Sequence, residues 1–238
     1  MRFSEILFPD KCILCQRLLK TRETGVCSVC QKKLPEVREP VCRRCGKPIA
    51  DPEAELCFDC GRRVDGALTE NAALFVYNED MRRAMAEFKY GGCFSDAAFY
   101  ADQIAGRHLE RIRGWHIDAI VPVPIHRRRE WFRGYNQAGQ LACELGLRLG
   151  LPVVEALVRS RQTRALKELD PGQRRKMLKG VFELSEKGRS DIIGGANILL
   201  VDDIYTTGAT LDECARVLLM GGAGSVYGIC LCIGSESV

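Results

Sequence analysis

The chain has 238 residues, is 46% hydrophobic and 28% charged, and carries a net charge of +4. This composition is typical of a globular protein and excludes a chain that is disordered throughout. No segment reaches the roughly 20 apolar residues that a membrane-spanning helix needs. The N-terminus, MRFSEILFPDKC, does not have the basic and then apolar layout of a signal peptide. We therefore expect a cytoplasmic protein with no stable membrane insertion.

The positive charge is concentrated in two segments. Residues 126–135 and 159–179 together hold twelve basic and three acidic residues, a net charge of +9, whereas the rest of the chain carries −5. Clustered basic residues of this kind favour an anionic partner.

Eight of the thirteen cysteines lie before Gly61 and form two quartets with the spacing C-x2-C-x11-C-x2-C. Two C-x-x-C pairs supply the four thiolates of a tetrahedral zinc site, and a full thiolate shell indicates a structural site. The spacing does not decide whether the quartets bind in sequence or interleave. Cys93, Cys143, Cys214, Cys230 and Cys232 lie in apolar surroundings and are interpreted as core residues. The predicted zinc ligands are Cys12, Cys15, Cys27, Cys30, Cys42, Cys45, Cys57 and Cys60.

Residues 1–65 are predicted to form a double zinc-ribbon module, and residues 66–238 an α/β domain. The second part alternates between the 3.6-residue period of helices and short apolar strands, which favours a parallel sheet with helices on both faces. Helices are expected at 81–90, 96–112, 138–149 and from about 209, and strands at 118–125, 151–158, 180–184, 197–201 and 225–233.

The segment ILLVDDIYTTGAT, residues 198–210, runs from a buried strand into two carboxylates and then into hydroxyl residues. Hydroxyls, backbone amides and a following helix N-terminus are suited to bind a phosphate, while adjacent carboxylates suit a diol or Mg²⁺. The alternative interpretations are a plain turn, the aspartate of an ATPase and a dinucleotide fold. The last two require G-x-x-x-x-G-K-[ST] and G-x-G-x-x-G motifs that the sequence does not contain.

VDDIYTTGAT resembles the phosphoribosyl pyrophosphate (PRPP) signature of the type I phosphoribosyltransferases. Together with the cysteine module, VPVPIHRRREWFRGYNQA and the basic loop, it resembles the ComF family of competence-associated proteins. The resemblance implies a type I phosphoribosyltransferase fold, a central mostly parallel sheet flanked by helices, with a small N-terminal zinc-ribbon module. It implies two structural zinc ions, and Mg²⁺ bound with PRPP.

The resemblance also implies which residues bind PRPP. Asp202 and Asp203 are expected to hold the ribose hydroxyls and the metal and are the candidate catalytic residues. The loop after β-strand 197–201 is expected to hold the 5-phosphate, and residues 122–126 with two arginines are expected to hold the pyrophosphate. These residues are Thr206, Thr207, Gly208, Ala209 and Thr210, and Pro122, Val123, Pro124, Arg127 and Arg128.

The basic stretch that follows residue 158 corresponds to the flexible loop of this family. The chain has Leu166 where the family usually has glutamine and Met177 where it usually has asparagine. The residues that match the family are Thr163, Leu169, Arg174 and Phe182. The departures leave the contacts of this loop with PRPP undecided.

ComF proteins are associated with the uptake of single-stranded DNA during natural transformation, so such DNA is an expected partner. A competence helicase or other DNA-uptake proteins are further expected partners. Arginines interleaved with aromatic residues suit a single strand, because they pair with phosphates and stack on bases. The candidate nucleic-acid contacts are Arg129, Arg133, Trp131, Tyr135, Arg161, Arg164 and Lys167.

The alternative function is an active, Mg²⁺-dependent phosphoribosyltransferase that transfers ribose 5-phosphate from PRPP to a base or amine. The acceptor site is not recognisable in the sequence. His126 is placed either as a ligand contact or as an exposed loop histidine, and the sequence leaves both readings open.

Overall fold

The computed structural model describes residues 10–63, 66–91, 95–161, 171–189 and 193–235. Its central sheet has four parallel strands in the spatial order β1, β6, β5, β2. The strands of this sheet are β1 (Glu70–Val76), β2 (Ala119–Pro122), β5 (Asn197–Tyr205) and β6 (Ser225–Ile233). A separate antiparallel pair consists of β3 (Leu157–Arg159) and β4 (Phe182–Leu184).

Six helices of two turns or more accompany the strands in the described part of the chain. They are α1 (Glu79–Tyr90), α2 (Ser95–Gly114), α3 (Arg127–Arg133), α4 (Gln137–Leu149), α5 (Pro171–Leu178) and α6 (Ala209–Met220). The zinc module contributes two one-turn helices, Ser28–Gln31 and Phe58–Gly61, and a short 3₁₀ helix spans Lys187–Arg189. Among the described residues, none of these helices is both long and apolar enough to cross a bilayer.

Alternate residues of each strand point to opposite faces of the sheet, and both faces are buried under other elements. On β5, Leu199 and Val201 pack with α1, α2 and α4, whereas Ile198 and Leu200 pack with α6 and the β3–β4 pair. This arrangement explains why β5 is an uninterrupted apolar run in the sequence.

Most of the predicted elements are confirmed, with three informative differences. First, β5 continues to Tyr205, so the acidic pair lies inside the strand and not after it. Second, the arginine run forms the helix α3, none of whose side chains is buried. Third, the strand expected at 151–158 is reduced to β3 and an isolated bridge at Val153, next to Ile120 of β2.

The zinc module packs along the free edge of β1. Val76 N donates to Pro35 O (2.7 Å) and Val37 N donates to Leu74 O (2.8 Å). On the second ribbon, Asn71 donates through its backbone N to Arg44 O and through Nδ2 to Cys45 O, both at 2.8 Å. These hydrogen bonds join the zinc module directly to the central sheet. The division into two domains at residue 65 therefore remains a prediction.

Candidate functional site

The eight N-terminal cysteines form two clusters, each made of one sequence quartet. Within each cluster the four sulfur atoms lie within 4.8 Å of one another, which fits the donor set of a tetrahedral zinc ion. The structure thus decides the question that the spacing left open, because the quartets are sequential and do not interleave. The first cluster is Cys12, Cys15, Cys27 and Cys30, and the second is Cys42, Cys45, Cys57 and Cys60.

Backbone amides support the thiolates in the first cluster. Cys27 N donates to Cys12 Sγ (3.4 Å) and Cys30 N donates to Cys27 Sγ (3.5 Å). The bond from the Cys30 amide lowers the pKa of the Cys27 thiol. A stabilised thiolate is the form that binds zinc.

The remaining cysteines divide by position in the fold. Cys214, Cys230 and Cys232 are buried core residues, as predicted. Cys143 is exposed on α4, so its interpretation as a core residue is wrong. It lies on the solvent side of an amphipathic helix whose buried face includes Leu141 and Ala142. Cys93 lies outside the described residues.

The acidic pair lies at the carboxyl end of β5 and is partly shielded from solvent. Asp203 N donates to Asp202 Oδ1 (2.8 Å), and Lys89 Nζ is 2.5 Å from Asp203 Oδ2. Burial and the charge of Asp203 raise the pKa of Asp202 to about 8, whereas the charge of Lys89 opposes the rise. Such a perturbed carboxyl at a strand end is a feature of functional sites.

The loop after the acidic pair leads into the N-terminus of α6. Gly208 has φ +72°, and a Cβ atom there would lie 2.2 Å from Tyr205 Oη. Both the left-handed backbone and the lack of space for a side chain therefore require glycine at this position. Gly208 is also the N-cap residue of α6 and makes no side-chain cap. The first amides of this helix therefore remain available to an anion. Thr206 Oγ1 accepts from Arg174 Nη1 (3.1 Å), which brings a cation of α5 to the same loop.

The predicted pyrophosphate loop lies beside the acidic pair because β2 is the neighbour of β5. Val123 N donates to Val201 O (2.9 Å), directly before Asp202, and Asn136 Nδ2 donates to Val123 O (3.1 Å). His126 is the N-cap of α3, where its Nδ1 accepts from Arg128 N (3.2 Å). His126 therefore has a structural role that sequence reasoning did not identify.

A cavity of about 690 Å³ opens next to this loop. Its lining includes Pro122, Pro124 and Arg127 from the loop and α3, and Arg159 from β3. Arg128 is exposed nearby on α3. Desolvation lowers the pKa of Arg159, and the guanidinium is close enough to Asp202 for their charges to interact. Arg159 was predicted only as part of a basic segment; its place beside the site depends on the β3–β4 pair.

The candidate nucleic-acid residues fall into three groups. Trp131 is 81% exposed on α3, with Arg129 and Arg133 on the same short helix. Tyr135 turns inward and donates from its hydroxyl to Phe88 O (2.8 Å), so it contributes less to an exposed surface than its sequence position suggested. Arg161 is exposed. Arg164 and Lys167 lie outside the described residues.

Two functional candidates at the end of α1 were missed by sequence reasoning. Lys89 contacts the acidic pair, and Tyr90 presents an exposed ring to Arg133, whose guanidinium carbon lies 4.9 Å from the ring centroid. The sequence predicted the helix but held no signal for these contacts, since Lys89 and Asp203 are joined only by the tertiary fold.

Comparisons with known proteins agree with this description. The double zinc ribbon domain family matches residues 3–61. The DNA utilization protein YhgH of Escherichia coli O157:H7 is 37% identical over 52% of the chain and 54% of its own length. The competence protein ComFC of Bacillus subtilis is 31% identical over 67% of the chain and 62% of its own length. The chain thus spans about half the length of the first of these relatives.

Among solved structures, the chain is similar to an adenine phosphoribosyltransferase, with a TM-score of 0.38 and 18% identity over 64% of the chain and 76% of that structure. A purine phosphoribosyltransferase from Pyrococcus horikoshii gives a TM-score of 0.35 and 18% identity, over 60% of the chain and 77% of that structure. At these values the likeness supports no statement about function.

The chain joins a double zinc ribbon, with two four-cysteine sites, to an α/β domain with a parallel central sheet. The predicted parallel sheet flanked by helices and the predicted N-terminal zinc-ribbon module are therefore confirmed. Its relatives include proteins named competence protein and DNA utilization protein, and its N-terminal residues match the double zinc ribbon domain family.

Proposed function

We propose that this protein binds PRPP at the carboxyl end of its sheet and acts in the handling or uptake of single-stranded DNA, in the cytoplasm. The observation that carries the first part is the parallel pairing of β2 with β5, which sets Val123 beside Val201. The pairing brings residues 122–126, the acidic pair and the Thr206–Thr210 loop to one edge. Ligands of parallel α/β folds bind at this edge.

PRPP matches the order of chemical groups along this edge. The amides at the start of α6 and the hydroxyls of Thr206, Thr207 and Thr210 suit a 5-phosphate. Asp202 and Asp203 suit the ribose hydroxyls, which donate hydrogen bonds to carboxylates. Arg127 and Arg128 suit the diphosphate, because guanidinium groups bind phosphate oxygens in a bidentate manner.

The acidic pair also has the oxygen donors that Mg²⁺ prefers, and the ammonium of Lys89 beside Asp203 shows that the pair accommodates a cation. Mg²⁺ bound with PRPP would neutralise negative charge on the diphosphate. In this proposal Asp202 and Asp203 hold the metal together with the ligand.

The DNA role draws on the names of the relatives, which include a competence protein of Bacillus subtilis and a DNA utilization protein of Escherichia coli. It also draws on a surface that we call the arginine–aromatic surface, formed by Tyr90, Arg129, Trp131, Phe132 and Arg133. Its three aromatic rings are exposed and Arg133 stacks on Tyr90. Such a surface binds backbone phosphates and stacked bases without sequence preference.

An active phosphoribosyltransferase is the second candidate function. The cavity beside Arg127 and Arg159, about 690 Å³ in volume, is large enough for a base or amine acceptor next to the proposed pyrophosphate loop. Incubating the protein with PRPP, Mg²⁺ and a panel of bases and amines, and measuring PRPP consumption, tests this candidate. Acceptor-dependent consumption would establish it, and its failure with every acceptor would leave the binding function alone.

Isothermal titration calorimetry tests PRPP binding. We expect Mg²⁺-dependent binding by the wild-type protein and at least a tenfold loss in the double variant Asp202→Asn, Asp203→Asn. Asp102→Asn is the matched control, because Asp102 is an exposed aspartate on α2 that pairs with Arg148. An unchanged affinity in the double variant, or no binding by the wild type, would refute the site.

Fluorescence anisotropy with a labelled single-stranded oligonucleotide tests the DNA role. Binding should weaken as salt rises, since phosphate contacts release counterions. Trp131→Ala should weaken it by roughly five- to tenfold, as expected for the loss of one stacked base. Leu147→Ala on α4 is the control, because Leu147 is 80% exposed and Trp131 is 81% exposed. Equal effects of the two variants, or salt-independent binding, would contradict the role.

A further inference from the structure

Lys89 approaches the acidic pair from the last turn of α1. Its Nζ lies 2.5 Å from Asp203 Oδ2, and the two side chains are only 21% and 20% exposed. An ion pair so shielded from water and salt is held more firmly than a surface pair. In the free protein, one of the two carboxylates proposed to hold a metal is therefore already occupied by a cation.

The backbone around Lys89 is held by the segment that precedes α4. The carbonyl of Lys89 accepts from Gln137 Nε2 (3.2 Å), and that of Phe88 accepts from the Tyr135 hydroxyl (2.8 Å). Phe88 is fully buried and Gln137 is 2% exposed. These contacts satisfy carbonyls at the end of α1 that have no partner within the helix. The base of the lysine side chain is therefore fixed, while its four-carbon stem leaves the ammonium free to move a few ångströms.

An ammonium group and a divalent cation both bind to carboxylate oxygens, but the divalent cation has stricter geometric requirements. Mg²⁺ requires oxygen ligands in near-octahedral geometry and gives up its water reluctantly. Two cations a few ångströms apart in a partly shielded site repel one another, and this repulsion alone weakens binding by tenfold or more. A phosphorylated ligand changes the balance, because its oxygens offer the ammonium another partner.

We propose that Lys89 and a divalent cation compete for Asp203. In the free protein the ammonium occupies the acidic pair, and the divalent cation binds tightly only when a phosphorylated ligand draws the ammonium away. The role of the ligand rests on the proposed function, whereas the competition is a property of the protein alone. Lys89 is thus a positioning residue that makes metal binding depend on ligand binding.

Binding of Mn²⁺, a paramagnetic substitute for Mg²⁺, to the zinc-loaded protein without PRPP tests the competition. The loss of the free-ion electron paramagnetic resonance signal reports the bound fraction. Lys89→Met should tighten Mn²⁺ binding about tenfold or more, and Lys89→Gln should act in the same direction. Lys89→Arg keeps the charge and should stay within about twofold of the wild type.

Lys187→Met is the matched control, because Lys187 also pairs with a carboxylate, at 3.1 Å from Glu155, but both side chains are about 70% exposed. It should leave Mn²⁺ binding unchanged. Adding Asp203→Asn to Lys89→Met should abolish the gain, since the gain belongs to that carboxylate. The proposal is overturned if neither neutral variant binds Mn²⁺ more tightly, or if the gain survives the loss of Asp203.

A second titration in the presence of PRPP separates this inference from the proposed function. PRPP should tighten Mn²⁺ binding strongly in the wild type and much less in Lys89→Met. If PRPP has no effect on any variant but Lys89→Met still binds Mn²⁺ more tightly than the wild type, the proposed PRPP site is refuted. The competition between Lys89 and the divalent cation is then supported on its own. If PRPP tightens Mn²⁺ binding equally in both proteins, Lys89 does not couple the two ligands.

Discussion

Asp212 joins helix α6 to the end of the zinc module. Its Oδ1 accepts from Ala67 N (2.7 Å) and lies 2.5 Å from Arg63 Nη2. The side chain of Asp212 is 8% exposed and that of Arg63 is 13% exposed. Asp212 also lies in the first turn of α6, where a negative charge is favoured by the helix dipole. We predict that Asp212→Ala destabilises the whole protein.

The expected magnitude follows from burial. Removing one partner of a buried ion pair costs about 3–5 kcal/mol, because the other charge is left in a poorly solvated place. We therefore expect Asp212→Ala to lower the free energy of unfolding by about 4 kcal/mol. Asp212→Asn keeps an oxygen for Ala67 N and should cost about half as much. The control is Asp102→Ala, which breaks the more exposed pair with Arg148 and should cost less than about 1 kcal/mol.

Urea unfolding of the zinc-loaded proteins measures these differences. The fluorescence of Trp115, which is buried and stacked on Tyr227 at a centroid distance of 4.9 Å, reports the body of the fold, and far-ultraviolet circular dichroism provides a second probe. Coinciding transitions justify a two-state treatment. A loss for Asp212→Ala no larger than that for Asp102→Ala would refute the view that this contact joins the two parts of the chain.

Three further predictions concern single side chains. Burial lowers the pKa of His108 from 6.5 to about 4. The unfolded chain therefore binds more protons, and the free energy of unfolding falls as pH drops from about 6.5 to about 4. His108→Gln should flatten this pH dependence in urea unfolding, and parallel plots of unfolding free energy against pH for the wild type and the variant would contradict it. Gly208→Ala should weaken PRPP binding at least tenfold in calorimetry, because its Cβ would meet Tyr205 Oη, whereas Gly222→Ala, also at positive φ but in open space, should not. Tyr135→Phe should cost about 1 kcal/mol of stability and leave DNA affinity within twofold; a loss of DNA binding as large as that of Trp131→Ala would restore the nucleic-acid role that the sequence suggested.

Much of the fold was predictable because its signals are local. The apolar run of β5 and the buried stripe of α6, which includes Leu211 and Leu218, reflect burial that is periodic along the chain. Helix α3 was not predictable in this way, since none of its side chains is buried. Its ends are instead defined by the cap of His126 and by Gly134 at φ +78°, and both signals are weak among so many charges.

The sequence by itself determined the chemistry that depends on neighbours along the chain. The spacing of the cysteines predicts zinc sites, and the two adjacent carboxylates followed by hydroxyl residues before α6 predict binding of a diol and a phosphate. Only the tertiary structure decided that the quartets are sequential, that β2 lies beside β5, and that Lys89 occupies Asp203. Contacts between residues far apart in the chain arise from the packing of strands and helices, and no local pattern encodes them.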